Sequence, residues 1–165
     1  MKILALDQAL GTTGFAIFEN NELTHWGHFK TISSKPIEER LCEIWKELNK
    51  LLNTYNFEYV VFEDIQKQNN QETYKKLAYV QAAIMIWCYN QNIKFTIYSP
   101  SHWRKILKET YNVSFGRKRE EQKKAAIEFI NYLYQMIVSS DEADAICIGC
   151  AYLTPSANIN EFDGF

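Results

Sequence analysis

Hydrophobic residues along this chain follow two different periods, and the switches between them mark out the elements. Two short apolar runs come first, Ile3-Leu4-Ala5-Leu6 and Phe15-Ala16-Ile17-Phe18. Asp7 and the stretch Gly11-Thr12-Thr13-Gly14 lie between them, and Asn20-Asn21 closes the second run. This pattern predicts a β-hairpin, with Gly11 and Gly14 supplying the positive φ that its turn needs. Leu23 to Ile32, with Trp26 and Phe29 among polar neighbours, predicts a third strand. The period then lengthens: apolar side chains at 37, 41, 44, 45, 48, 51, 52 and 55 form one helical stripe. Pro36 suits its first turn, Glu38 and Glu39 suit the positive end of its dipole, and Asn53 to Asn56 end it. Tyr59-Val60-Val61-Phe62 follows, a wholly apolar strand suited to a sheet covered on both faces.

Asn69 to Asn90 predicts a helix that is polar in its first third and apolar beyond. From Ala78 to Cys88 only Gln81 is polar. Packing one face on a sheet does not account for so much apolar surface, so the helix around residues 74–90 is expected to meet a second copy of the chain. Lys94 to Tyr98 predicts a fifth strand, and Ser99-Pro100-Ser101 caps a helix through Trp103 and Leu107. Residues 111–119 form a positive loop centred on Gly116, followed by a helix from Glu120 to about Leu133. A last helix opens at Ser139-Ser140-Asp141-Glu142, where Ser139 and Glu142 match a capping box. Behind it Ala143, Ala145, Ile146, Gly149 and Cys150 are small or apolar and suit close packing on a sheet. The order of elements predicts a single α/β domain over 1–165, a mixed five-stranded sheet flanked by helices on both faces.

Four acids stand out against this frame. Asp7 and Glu63 end apolar strands, and Asp141 and Asp144 are one turn apart on one face of the last helix. Asp7 alone fits either a turn cap or a Lys partner as well as it fits a metal site. Four carboxylates in one place, however, repel one another unless divalent cations sit between them. All-oxygen ligands favour Mg²⁺, with Mn²⁺ as a substitute, over zinc. Two such ions about 3.5–4 Å apart suit in-line attack on a phosphodiester. Asp64 and Glu142 adjoin two of these acids but point elsewhere by strand alternation and helix phase.

Composition sharpens this in two respects. With 165 residues, 47% apolar and 15% aromatic, the chain has enough core for one globular domain. No apolar run spans a bilayer and the N-terminus lacks a signal peptide's layout, so no membrane association is expected and a cytoplasmic location is. Cys42, Cys88, Cys147 and Cys150 sit in apolar stretches and read as reduced core thiols, Cys147-x-x-Cys150 lacking a second pair for zinc. His25 and His28 fall on opposite faces of a strand and read as surface residues, as does His102 near a helix start. The net charge of −2 argues against nucleic acid, but its distribution does not. Lys94 to Lys124 holds nine basic residues against three acidic, leaving nine against seventeen elsewhere. A basic segment on an acidic chain fits a polyanion, and a solvated helical face equally.

Taken together, ALDQALGTTGFAIFENNEL, VVFEDIQ, SPSHWRKIL, GRKREEQKKAAIEF and DEADAICIGCAYL resemble the RuvC-type Holliday junction resolvases, most closely the phage-encoded branch. The resemblance covers residues 1 to about 153. It implies an RNase H-like fold, a homodimer, and Mg²⁺-dependent paired nicking of four-way DNA junctions, in the host cytoplasm if phage-encoded. Asp7, Glu63, Asp141 and Asp144 match the family's metal ligands, and Lys118 its basic residue near the scissile phosphate. Arg117, Arg119 and Lys123 surround Lys118 as DNA-binding candidates, and Arg104 and Lys105 match another basic position. One departure is Gln66, where bacterial relatives carry an aromatic wedge. It implies weak sequence preference; Tyr74, a turn or two further on, is placed to stack instead but is more simply read as a surface residue.

Three rivals remain on the sequence. The Gly11 to Gly14 hairpin also resembles that of sugar kinases and actin-like ATPases, which need two such domains. A monomeric nuclease acting on RNA would keep the carboxylates without a dimer. A silent junction-binding module would gain nothing from four acids facing phosphates.

Overall fold

Strand β1 (Lys2–Asp7) lies at the middle of the sheet because an apolar run without polar alternation must be covered on both faces. The computed structural model describes residues 1–67 and 69–155. In it β1 pairs antiparallel with β2 (Thr12–Glu19), which pairs antiparallel with β3 (Glu22–Lys30). On its other side β1 runs parallel to β4 (Tyr59–Glu63), and β4 runs parallel to β5 (Lys94–Tyr98). The spatial order is β3-β2-β1-β4-β5, the mixed five-stranded sheet expected.

Alternate residues of the central strands feed two cores. Leu4, Leu6, Ile17, Val60 and Phe62 pack beneath α1 (Ile37–Tyr55) and α2 (Gln71–Asn90). Ile3, Ala5, Ala16, Phe18 and Val61 pack beneath α3 (Pro100–Tyr111), α4 (Arg119–Tyr134) and α5 (Ser140–Leu153). Helix α5 is buried along most of its length because its small residues bring it close to β1 and β2. At Gly149 even a methyl group would stand 2.1 Å from the Phe18 ring, so the sheet and helix approach as closely as glycine allows.

Two local expectations are corrected. Gly11 and Gly14 do not have positive φ; among the described glycines only Gly116 does. The β1–β2 connection is a looser loop that ends before Thr12. The tight turn is the next one, where Asn20 and Asn21 take φ of 52° and 69° between β2 and β3. Cys42 is exposed on α1, off the apolar stripe, whereas Cys88, Cys147 and Cys150 are buried thiols as expected. Element ends otherwise fall within about two residues of expectation; α4, for instance, begins at Arg119 rather than Glu120. The tail after Pro155 lies outside the described residues.

Helix α2 has two apolar faces. Val80, Ile84, Trp87 and Cys88 are buried, and the Trp87 indole donates to Asn49 Oδ1 of α1 at 2.8 Å. On the other side Tyr79, Ile86 and Tyr89 are 48%, 55% and 81% exposed. Among the described residues no helix is long and apolar enough to cross a membrane.

Candidate active site

Parallel pairing of β1 with β4 brings Asp7 and Glu63 to the same end of the sheet. Strand alternation then selects the face. Ile3 and Ala5 on β1, and Tyr59 and Val61 on β4, pack on the α5 side, so Asp7 and Glu63 face α5 as well. Helix α5 delivers Asp141 and Asp144 to that face from its first turns. Its approach depends on Gly14, the ladder partner of Asp7. A Cβ at Gly14 would lie 2.0 Å from the Asp141 carbonyl oxygen, so glycine here makes room for the helix rather than for a turn.

The helix start is fixed by reciprocal hydrogen bonds. Glu142 N–H donates to Ser139 Oγ at 3.3 Å, and Ser139 N–H donates to Glu142 Oε2 at 2.9 Å. The other Glu142 oxygen meets His28 Nδ1 on β3 at 2.8 Å. Glu142 is therefore committed to holding the helix. Asp64 is committed too: its Oδ1 accepts from Ile65 N–H at 2.9 Å and from the Gln81 amide at 3.2 Å. Both acids turn away from the cluster, as strand alternation and helix phase require.

Glu63 is gripped from two directions. The Gln8 side chain imitates a strand: its amide N–H donates to the Glu63 carbonyl, and its oxygen accepts from Glu63 N–H at 3.3 Å. The Trp103 indole N–H donates to Glu63 Oε1 at 2.8 Å. Gln8 leaves no mark in the hydrophobic pattern and Trp103 shows there only as an apolar helix position, so neither hydrogen bond is read from the sequence. The only cue was that Gln8 adjoins Asp7.

The electrostatics are those of crowded carboxylates. Burial, then the charges of Asp144, Glu63 and Asp141, hold the Asp7 carboxyl well above the ordinary range, with Lys123 opposing. Asp144 is pushed up to about 7 by burial, then by Glu63 and Asp141, against the pull of Arg104 and Lys123. Burial raises Glu63 as well, while the Trp103 hydrogen bond and Arg104 favour its charged form. Among the described residues no three such side chains are already drawn into a metal cage. The donor set nevertheless fits a hard divalent ion: every ligand atom offered is oxygen, and burial and neighbouring acids hold Asp7 and Asp144 above the ordinary range.

The predicted basic residues divide into two groups. Arg104 and Lys123 act directly on the acids. The Arg104 guanidinium lies 4.7 Å from the Trp103 ring centre, and its Nε is buried without a hydrogen-bond partner. Lys123 lines a groove with Ser140 between α4 and α5. Lys105 is exposed and pairs with Glu109 at 3.8 Å. Arg117, Lys118 and Arg119 are also exposed, at the start of α4. The Glu121 carboxylate accepts from the Arg117 and Lys118 N–H groups at 2.9 and 3.1 Å, and Gly116 at φ 69° lets the loop close over it. Gln66 is exposed in the loop after β4, and Tyr74 is 41% exposed on α2.

Comparison with known proteins identifies relatives both in sequence and in fold. The sequence model of the family described as "Crossover junction endodeoxyribonuclease RuvC" matches residues 3–152. RuvC of Rickettsia akari is 30% identical over 153 residues, covering 90% of this chain and 94% of that protein. RuvC of Finegoldia magna is 21% identical over 157 residues, covering 93% of each. Among solved structures, Thermus thermophilus RuvC in complex with a Holliday junction substrate superposes with a TM-score of 0.71 at 19% identity, covering 92% of each chain. The Fowlpox virus resolvase bound to Holliday junction DNA superposes with a TM-score of 0.59 at 18% identity, covering 92% of this chain and 96% of that one. These neighbours share the RNase H-like fold, and with a family match over nearly its whole length the chain belongs to the RuvC family of crossover junction endodeoxyribonucleases.

Proposed function

We propose that this protein is a structure-selective endonuclease that cuts four-way and other branched DNA by hydrolysing phosphodiesters, nicking opposed strands as a homodimer. The convergence of Asp7, Glu63, Asp141 and Asp144 at one end of one sheet face carries this reading. These four acids would hold Mg²⁺, or Mn²⁺ in its place. Ions bound there supply water activation and stabilisation of the leaving oxygen. The chain's own groups do the rest. Gln8 and Trp103 fix Glu63, while Ser139, Glu142 and His28 fix the turn that carries Asp141 and Asp144. Arg104 and Lys123, set beside the acids, would stabilise charge that develops on the phosphate. Lys105, Arg117, Lys118 and Arg119 are placed to hold DNA phosphates at the surface, and Gln66 in place of an aromatic wedge supports weak sequence preference. The exposed apolar face of α2, with Tyr79, Ile86 and Tyr89, suits a second copy of the chain.

Cleavage of a synthetic four-way junction in Mg²⁺ tests the reading. Asp7→Asn should cut more than about 100-fold more slowly, since losing a ligand exceeds the loss of an outer partner, while junction binding is kept or tightened. Near wild-type cutting by the variant, or a preference for single-stranded RNA in the same assay, would contradict it.

The two groups of cations make different predictions. Lys123→Ala should slow single-turnover cleavage at saturating protein by about 10- to 100-fold, whereas Lys118→Ala should mainly weaken binding and reduce its salt dependence. The opposite pattern would return the role at the scissile phosphate to Lys118.

Dimerisation through α2 predicts that Ile86→Glu yields monomers by sedimentation and single nicks in place of paired ones. A variant that stays dimeric would contradict the assignment.

The raised acids also set the pH dependence of the metal-free protein. Folded Asp144 keeps its proton up to about 7, whereas the unfolded group loses it near the ordinary value of 3.8. The stability this gives is complete below that lower value and is lost as pH rises through about 7. The lowered acids Glu43, Glu121 and Glu142 act in the other sense, but they are ionised throughout by about pH 5. With EDTA, the melting temperature should therefore fall between about pH 5 and about pH 7.5, and fall less in Asp144→Asn. An unchanged or rising melting temperature in the wild type would refute the crowded cluster.

A further inference from the structure

We infer that Trp103 is a positioning residue for the metal centre: its indole N–H holds one oxygen of Glu63, leaving the other to face the ion. The inference rests on the metal-binding reading of the four acids and goes beyond it.

The arrangement follows from the sheet register. Glu63 ends β4 opposite Tyr98, the last residue of β5. Helix α3 begins immediately afterwards, its start set by Pro100 and by the Ser99 hydroxyl, which accepts from His102 N–H at 3.2 Å. One turn later Trp103 lies back over the end of β4. The acceptor thus ends β4 and the donor sits on the first turn of the helix that leaves its neighbour β5, so the register of one parallel pair sets their distance.

Trp103 is fully buried, so its N–H must find an acceptor inside the protein. Its acceptor is a carboxylate, and a hydrogen bond to an ionised group is stronger than one between neutral groups. Phe115 fixes the plane of the ring, edge-on at 87° with centroids 5.3 Å apart. The Arg104 guanidinium lies over its face, 4.7 Å from the ring centre. A ring held by contacts on several sides cannot turn its N–H away from Glu63 without repacking this core. Outer partners of this kind orient a ligand and raise its affinity for metal, and their loss weakens binding by about 10- to 100-fold.

The protein carries its own control. Trp87 is equally buried and donates its indole N–H at the same 2.8 Å, but to Asn49 between α1 and α2. Trp103→Phe and Trp87→Phe each remove one buried donor and keep most of the ring's volume. Only the first touches a carboxylate of the cluster.

The test is a Mg²⁺ titration of the DNA-free protein, read by calorimetry and by the indole ¹H–¹⁵N resonances, each assigned from its Trp→Phe variant. The indole resonance of Trp103 should move on adding Mg²⁺ while that of Trp87 stays fixed. Trp103→Phe should need about 10- to 100-fold more Mg²⁺ for half-saturation, Trp87→Phe should not, and both should bind a four-way junction as the wild type does in EDTA. If Mg²⁺ binds but the Trp103 resonance stays still, or Trp103→Phe binds Mg²⁺ normally, the inference fails and the metal site stands. If the wild type binds no Mg²⁺, both fall. Should Trp103→Phe not fold, the resonance shift in the wild type decides alone.

Discussion

Repulsion among acids held together is the constraint on which this structure depends. Asp7, Glu63 and Asp144 are each held above the ordinary carboxylate range, first by burial and then, for Asp7, by Asp144, Glu63 and Asp141, and for Asp144 by Glu63 and Asp141. A fold selected for stability alone would not keep them there, because burying like charges costs free energy that packing elsewhere must offset. The arrangement becomes reasonable once a divalent cation is part of the working state. The same charges that repel one another then become the source of the site's affinity.

Holding such a site open requires rigid surroundings, and the chain provides them by ordinary means. Parallel pairing puts two acids at one sheet end. Gly14 admits the α5 backbone at a distance no other residue tolerates. The capping box and His28 fix the first turn of α5, and Gln8 and Trp103 fix Glu63. Apart from the local capping box, each support is a hydrogen bond or a close contact between elements far apart in sequence. The backbones that carry the acids cannot move apart unless one of these gives way.

Much of this was legible in the residues. The alternation of periods gave the element order, and the apolar Val60-Val61 strand announced a sheet covered on both faces. Ser139 and Glu142 located the last helix to within a residue, because a capping box is a local signal. What escaped was tertiary. Gly14 looked like a turn glycine, since a close approach by a helix over a hundred residues away leaves no trace nearby. Trp103 read as one apolar position of a helix, although its N–H serves a carboxylate. The Arg117 to Lys124 segment showed basic charge, but which lysine reaches the acids depends on the helix phase of α4 against α5. That phase lines the groove with Lys123 and Lys124 and leaves Lys118 exposed at the N-cap position of α4.

The most direct measurement is anomalous diffraction from crystals of the DNA-free protein soaked in Mn²⁺. The account predicts anomalous density between Asp7, Glu63 and the two α5 aspartates, absent from Asp7→Asn crystals treated alike. Strong Mn²⁺ density elsewhere on the molecule, with none among these four acids, would contradict it.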